Sequence, residues 1–351
     1  MKIGIEHEFV FKDRDNNFLD LTNSSYKDFQ KVVDKFPFYE EDLGVLECKS
    51  LESKPKRLYV EGFERYDEND RLLETIPKGL EIRTPPYEDI DRLIEDFASS
   101  CNIMNEIASS FELSPLLVSF NPFTYFQGVY ELLDHENING RNTFDLLIAK
   151  NSMLLHAFHI NISVNKNSNL QDIVEKLNYY LPYIIPFSFS SPFCNGKVFR
   201  GLSCRMFELV KYRPLVSIRK RVDTDVVEFR GFDVVGDTQL LTALLSLIKF
   251  LVKDNFLMGR DKEKNVDLIE LSSVEGFDNE KIKKGALEIL DVAKNSNQID
   301  FETLELLYSM VQTNESYSAK MKREFSKTNN IIQSMSNMYN FAEENVFEKS
   351  A

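Results

Sequence analysis

Glu6 and Glu8 stand two residues apart in Lys2-Ile3-Gly4-Ile5-Glu6-His7-Glu8-Phe9-Val10-Phe11, a stretch that alternates with the period of a β-strand. Ile3, Ile5, Phe9 and Phe11 fall on one face. The two carboxylates fall on the other, roughly 7 Å apart at the rise of a strand. Side by side they repel each other unless water or a cation lies between them. The pair therefore reads either as a solvated surface or as part of a cation site. Polar residues project at the same spacing in three later stretches, as Glu81 and Arg83, His159 and Asn161, and Glu228 and Arg230, and Glu74 precedes Glu81 in the same arm. If these strands line one concave sheet, carboxylates and one imidazole converge on a pocket with arginines at its edge. Such a concentration of negative charge must be neutralised. Oxygen-rich ligation with one nitrogen suits Mg²⁺ or Mn²⁺ better than zinc. Metal ions and arginines beside carboxylates form a setting for phosphoryl transfer from a nucleotide.

The elements that must position these groups follow from periodicity and turn residues. After a polar turn at residues 13–17, Ser24 to Phe36 has Tyr26, Phe29, Val33 and Phe36 at helical spacing, and residues 40–56 read as a loop. Arg57–Tyr66 and Leu72–Thr84 read as two strands joined by the turn-rich Asp67-Glu68-Asn69-Asp70 and stopped by Pro85-Pro86. A long helix from Ile90 through Ile107 and a short strand over Pro115–Phe120 come next. Residues 121–151 are mixed and offer loops where substrate specificity could reside. In Leu154–Val164, Phe158, Ile160, Ile162 and Val164 share one face and His159, Asn161 and Ser163 the other, while His156 has the parity of the apolar face and reads as structural. A helix near Gln171–Leu181 precedes an ordered loop, Pro186–Gly196, rich in Ser and Pro. The basic residues Lys197, Arg200, Arg205, Lys211, Arg213, Arg219, Lys220 and Arg221 suit an anionic ligand or a solvated basic face. Asp237 or Thr238 can cap the apolar helix that follows Val226–Arg230. From Glu270 onward the chain reads as helices, and the polar stretch after Ser316 as an exposed helix or a partly disordered end.

With 42 basic and 56 acidic residues in 351, the net charge of −14 argues against phosphate-backbone binding, so nucleic acid is excluded as the main partner. Cys48, Cys101, Cys194 and Cys204 show no C-x-x-C spacing, which fits a reduced cytoplasm. The most apolar run, Leu240–Val252, is interrupted by Lys249 and is too short to span a bilayer, and no signal peptide precedes the first strand. A cytoplasmic protein without a membrane partner is expected. A homo-oligomer stays open.

Gly4-Ile5-Glu6-His7-Glu8-Phe9, Glu74 with Gly79-Leu80-Glu81-Ile82, Phe158-His159-Ile160-Asn161, Ser190-Ser191-Pro192-Phe193 with Gly196, and Val227-Glu228-Phe229-Arg230 occur in the order seen in the glutamate–cysteine ligase type 2 / carboxylate–amine ligase family. The chain resembles this family, whose members are relatives of glutamine synthetase, over about residues 1–256. The resemblance implies an α+β fold: a funnel-like curved antiparallel sheet backed by helices over 1–256, and a helical region over 257–351 packed on the same domain. It also implies an ATP-dependent ligase that joins a carboxylic acid to an amine through an acyl phosphate, with Mg²⁺ or Mn²⁺. On that resemblance Glu8, Glu74 and Glu81 correspond to ligands of one metal, and Glu6, His159 and Glu228 to ligands of another beside the ATP phosphates. Arg230 matches the arginine on the transferred phosphate, and Arg205 a substrate- or phosphate-binding arginine. Asn161, Arg83 and Arg200 are candidate substrate contacts.

The sequence departs from the pattern at Asn161, where many relatives carry a second histidine, and it has no tryptophan. Both features leave the acid, glutamate or a related amino acid, less fixed than the reaction class. A phosphotransferase of the guanidino-kinase kind, or a non-catalytic relative acting as a binding partner, is the alternative.

Overall fold

In the computed structural model, residues 1–48, 54–66, 72–123, 152–164, 168–211, 213–220 and 225–341 are described. The alternation at the start of the chain forms β1 (Lys2–Lys12), which lies inside the sheet. In chain order come β2 (Phe18–Leu19), α1 (Tyr26–Lys35), β3 (Leu58–Tyr66), β4 (Leu72–Arg83), α2 (Ile90–Ser109), β5 (Ser114–Leu116) and β6 (Ala157–Ser163). Then follow α3 (Leu170–Ile184), a small hairpin of β7 (Phe193–Cys194) and β8 (Lys197–Val198), α4 (Cys204–Leu209), β9 (Val216–Arg219), β10 (Val226–Asp233) and α5 (Thr238–Lys253). Helices α6 (Val266–Glu275), α7 (Glu280–Ser296), α8 (Phe301–Thr313), α9 (Tyr317–Thr328) and α10 (Ile331–Met335) complete the described chain.

The main sheet runs β3-β4-β1-β6-β10-β9 with every neighbouring pair antiparallel, and β2 and β5 join the far end of β1. It is the curved antiparallel sheet of an α+β fold, as expected. Three register shifts interrupt its ladders, and two of them lie beside the polar face. On β10, Phe229 pairs with Ile160 and Phe232 with Phe158, so three steps on one strand face two on the other. Phe229 and Phe232 therefore both keep the apolar face, and Asp233 follows Arg230 onto the polar one. On β4, Gly79 has φ 154°, and a Cβ there would come within 2.1 Å of the Phe9 carbonyl oxygen, so only glycine lets β4 approach β1 this closely.

The apolar face carries Ile3, Ile5, Phe9, Ile82, Ile160 and Phe229, all buried. Helices α2, α3 and α5 cover it, through side chains such as Leu93, Phe97, Leu181, Leu244 and Ile248. Burying each such side chain contributes roughly 1.5–3 kcal/mol, which makes this layer the main source of stability. His7 shares the face. Its Nε2 lies 3.0 Å from the Val235 carbonyl, rings of Phe9, Phe97 and Phe158 surround it, and burial lowers its pKa to about 4, so the imidazole is neutral.

The structure departs from expectation at several edges. The strand expected over Leu154–Val164 begins at Ala157, and that expected over Pro115–Phe120 ends at Leu116, after which Ser119 N donates to the Ser190 carbonyl instead of extending a ladder. Within the segment read as a loop, Asn195 (φ 55°) and Gly196 (φ 71°) form the tight turn of the β7–β8 hairpin, the pairing that a two-residue primed turn favours. The polar stretch after Ser316 forms α9 and α10, and Tyr317, Met321, Met335 and Phe341 are buried. Tyr317, Met321 and Phe325 recur at i, i+4 and i+8 and form the face of α9 that packs on the core. The Asp67–Asp70 turn and residues 124–151 lie outside the described residues. Among the described residues, no helix is long and apolar enough to cross a membrane.

Candidate active site

Strand register brings the polar groups together. Glu6 on β1 lies opposite Arg83 on β4 and His159 on β6, and Asn161 on β6 lies opposite Gly4 and Glu228 on β10. Glu6, His159 and Glu228 each offer a ligand atom, all within 4.8 Å of one another. His159 Nδ1 is 3.4 Å from Glu6 Oε2, and burial lowers the His159 pKa against the pull of Glu6, favouring the neutral imidazole that can ligate a metal. Glu228 is fully buried, and Arg230 Nη2 and Arg219 Nη2 approach its two oxygens at 2.6 and 2.7 Å.

A second cluster lies one strand over. Glu8 pairs with Glu81 across β1 and β4, and Glu81 with Tyr59 across β4 and β3. Glu8, Glu81 and Glu61 of β3 also place ligand atoms within 4.8 Å of one another. Lys78 Nζ donates to Glu8 Oε2 at 2.8 Å, Ala157 N donates to the same oxygen at 3.1 Å, and His156 Nδ1 lies 3.8 Å from it. Burial works to raise the Glu8 pKa, but Lys78 together with His159 and His156 holds the carboxyl below its ordinary value. His156, with its pKa lowered to about 3 by burial, abuts this cluster as a neutral ring.

A buried strut supports the opposite rim. The β10 bulge points Asp233 at the segment Ser188–Arg205, where Ser190 N, Ser191 Oγ and Ser203 Oγ donate to its carboxylate at 2.8–3.2 Å. Burial pushes the Asp233 carboxyl up, while Arg205 Nη1, 3.3 Å away, pulls it down. Arg205 Nη2 donates to the Arg230 carbonyl at 2.8 Å. The Ser-Ser-Pro stretch thus clamps an aspartate that holds an arginine, and that arginine props the backbone of Arg230.

Of the residues singled out from sequence, Glu6, His159 and Glu228 come together, as do Glu8 and Glu81. Glu74 pairs with Arg65 farther along the β3–β4 arm, and its side chain lies outside the described set. Arg83 is buried, donates from Nε to the Lys56 carbonyl at 2.9 Å and stacks over Tyr59. Arg200 is exposed above the Phe207 ring. Arg205 is 1% exposed and touches the site through the Arg230 carbonyl. Arg213 is half-buried, its pKa lowered to about 10 by burial and by Arg230, with Glu8 and Glu228 opposing. Sequence reasoning missed Glu61, Lys78 and Asp233. Glu61 was discoverable from the register of the hairpin, whereas Lys78 and Asp233 depend on bulges that shift side-chain parity.

Two compact carboxylate groups, one completed by an imidazole, fit hard divalent cations with oxygen preference. Asn161 Oδ1 is buried without a hydrogen bond, and both Glu228 oxygens lack an aligned donor although two arginines touch them. A buried acceptor without a donor, beside a carboxylate held only by ion pairs, fits a cation site.

The fold is a curved antiparallel sheet whose polar face carries two carboxylate clusters. Similar architectures occur in the Pup ligase PafA complexed with the ubiquitin-like protein Pup (TM-score 0.59, 12% identity, 97% of this chain and 73% of that one). They occur also in the glutamate–cysteine ligase of Francisella tularensis complexed with AMP (TM-score 0.56, 14% identity, 95% and 86%). The model of "Glutamate-cysteine ligase family 2" matches residues 2–208, and the chain belongs to that family. A curated relative from Ruegeria pomeroyi, named "Putative glutamate--cysteine ligase 2", is 28% identical over 125 residues, a stretch that spans 34% of this chain and 30% of that relative.

Proposed function

We propose that this chain is an ATP-dependent carboxylate–amine ligase that activates an amino acid, glutamate or a close relative, as an acyl phosphate and passes it to an amine. The observation that carries this reading is the placement of two cation-type clusters and Arg230 on one sheet face in a member of this family. Its substrates are small molecules, it acts in the cytoplasm, and residues 1–256 form the catalytic unit on which 257–351 pack.

Glu6, His159 and Glu228 would hold one divalent cation, and Glu8, Glu61 and Glu81 another, with Glu74 a further candidate ligand. When bound, Mg²⁺ or Mn²⁺ supplies Lewis-acid neutralisation of the nucleotide's phosphates. Arg230, released from Glu228, sits where it can grip the phosphoryl group in transfer, while Arg205 and Asp233 fix its backbone from behind. Arg213 adds a positive charge on the same side. Asn161, Arg83 and Arg200 are the candidate contacts of the acid. Transfer to the carboxylate expels ADP, and the amine then attacks the acyl carbon, loses a proton and releases phosphate.

Hydroxylamine trapping tests the reading. Purified protein, Mg²⁺, ATP, hydroxylamine and a panel of carboxylic acids, glutamate first, should yield a hydroxamate and ADP. AMP as the nucleotide product, or no hydroxamate from any acid, would overturn it.

A further inference from the structure

The Glu8 cluster contains a cation of its own. Glu61 pairs with Gly79 and Gly62 with Pro77, so Lys78 is the extra residue of a bulge on β4. Bulges re-aim side chains next to functional sites, and this one sends Lys78 toward the carboxylates. Lys78 is 6% exposed, and besides Glu8 Oε2 its ammonium donates to the carbonyls of Leu155 at 2.9 Å and Ser152 at 3.4 Å. With Ala157 N on the same carboxylate oxygen, Oε2 of Glu8 is committed to the protein.

We propose that Lys78 is a built-in counter-cation that sets the charge and binding mode of the Glu8–Glu61–Glu81 site. This rests on reading that cluster as a cation site. The ammonium offsets one of the three carboxylate charges before any ion arrives. Of the two Glu8 oxygens, Oε1 would be the one left for a metal ion. The ammonium also repels the incoming ion, so the site binds less tightly than three bare carboxylates would and can release its metal. Because Lys78 also holds the carbonyls of Ser152 and Leu155, that affinity is tied to the position of the backbone leading into β6.

The test is Mn²⁺ titration calorimetry on the full chain in a Glu228→Gln background, which disables the other cluster. Lys78→Gln, which keeps hydrogen-bond donors but removes the charge, should tighten Mn²⁺ binding about tenfold or more, since a unit charge a few ångströms from a divalent ion is worth at least that. Lys78→Arg, which keeps the charge, should stay within about threefold of the starting affinity. Adding Glu61→Gln to Lys78→Gln restores the net charge and should bring the affinity back toward its starting value, which a purely structural lysine would not do. A folded Lys78→Gln protein with unchanged or weaker Mn²⁺ binding would overturn the proposal. If that variant unfolds without metal, recovery in millimolar Mn²⁺ supports the counter-cation role and failure to recover rejects it. Absence of Mn²⁺ binding with and without the lysine rejects both this proposal and the cation reading of the cluster, whereas hydroxamate formation by the unaltered chain decides the ligase reading separately.

Discussion

Arg230 Nη2 lies 2.6 Å from Glu228 Oε2, so the arginine expected to grip a phosphate is held by a carboxylate expected to bind a metal. On the proposed reading, a divalent cation at this cluster would compete with Arg230 for the carboxylate and leave the guanidinium free to face the substrate. Arg230→Ala should therefore lower kcat by about 100-fold or more, the usual cost of losing a contact aimed at developing charge. Mn²⁺ binding at the same cluster should persist or strengthen in that variant, because a competing cation is gone. Calorimetry beside hydroxamate assays checks both halves, and simultaneous loss of metal binding and activity would show that Arg230 serves the fold of the site.

Asp233 and Arg205 are both fully buried, and each is the other's charge partner. Asp233→Ala should destabilise the protein by about 3–5 kcal/mol, because it strands a buried guanidinium. Adding Arg205→Met should recover part of that loss, though not the activity, since the Arg230 carbonyl stays unsupported. Urea unfolding of the single and double variants measures the recovery.

Asn161 lies across from both Gly4 and Glu228, and its buried Oδ1 accepts no hydrogen bond. Asn161→His should change KM for the acid more than KM for ATP. Equal changes in both would place the residue with the nucleotide or the metals.

His7 makes stability depend on pH. Its folded pKa of about 4 lies below the unfolded value of 6.5, so the unfolded chain binds the extra proton. The stabilisation is complete above 6.5 and is lost as pH falls toward 4, by about 3 kcal/mol in all. In a metal chelator, melting between pH 7 and 4 should show a shallower fall for His7→Gln than for the unaltered chain; equal slopes would mean that His7 is not buried neutral.

Much of this arrangement is legible in the sequence because strand parity is local. Ile3, Ile5 and Phe9 declare one face, so Glu6 and Glu8 must take the other, and the same logic places His159 and Glu228. Parity fails where a residue is inserted. Neither Lys78 nor Asp233 can be placed by counting in twos, because a bulge is fixed by the neighbouring strand and not by the residues around it. In the tail the stripe Tyr317, Met321, Phe325 is legible at helical spacing, whereas Phe341 lies outside any period and only the core it enters shows that it is buried.

The aromatic residues at the far end of the described chain have a consequence for synthesis. Tyr339 and Phe341 pack their rings against His7, with centroids 6.2 and 6.3 Å away, and Tyr339 also packs against Phe9. On a ribosome adding about 5–20 residues per second, tens of seconds pass between the emergence of the first strand and that of its last neighbours. Throughout that interval the back of the strand bearing Glu6 and Glu8 is an incomplete apolar surface. Nascent chains stalled before these residues should be the ones that recruit holding chaperones, and release from them should follow the emergence of Tyr339 and Phe341.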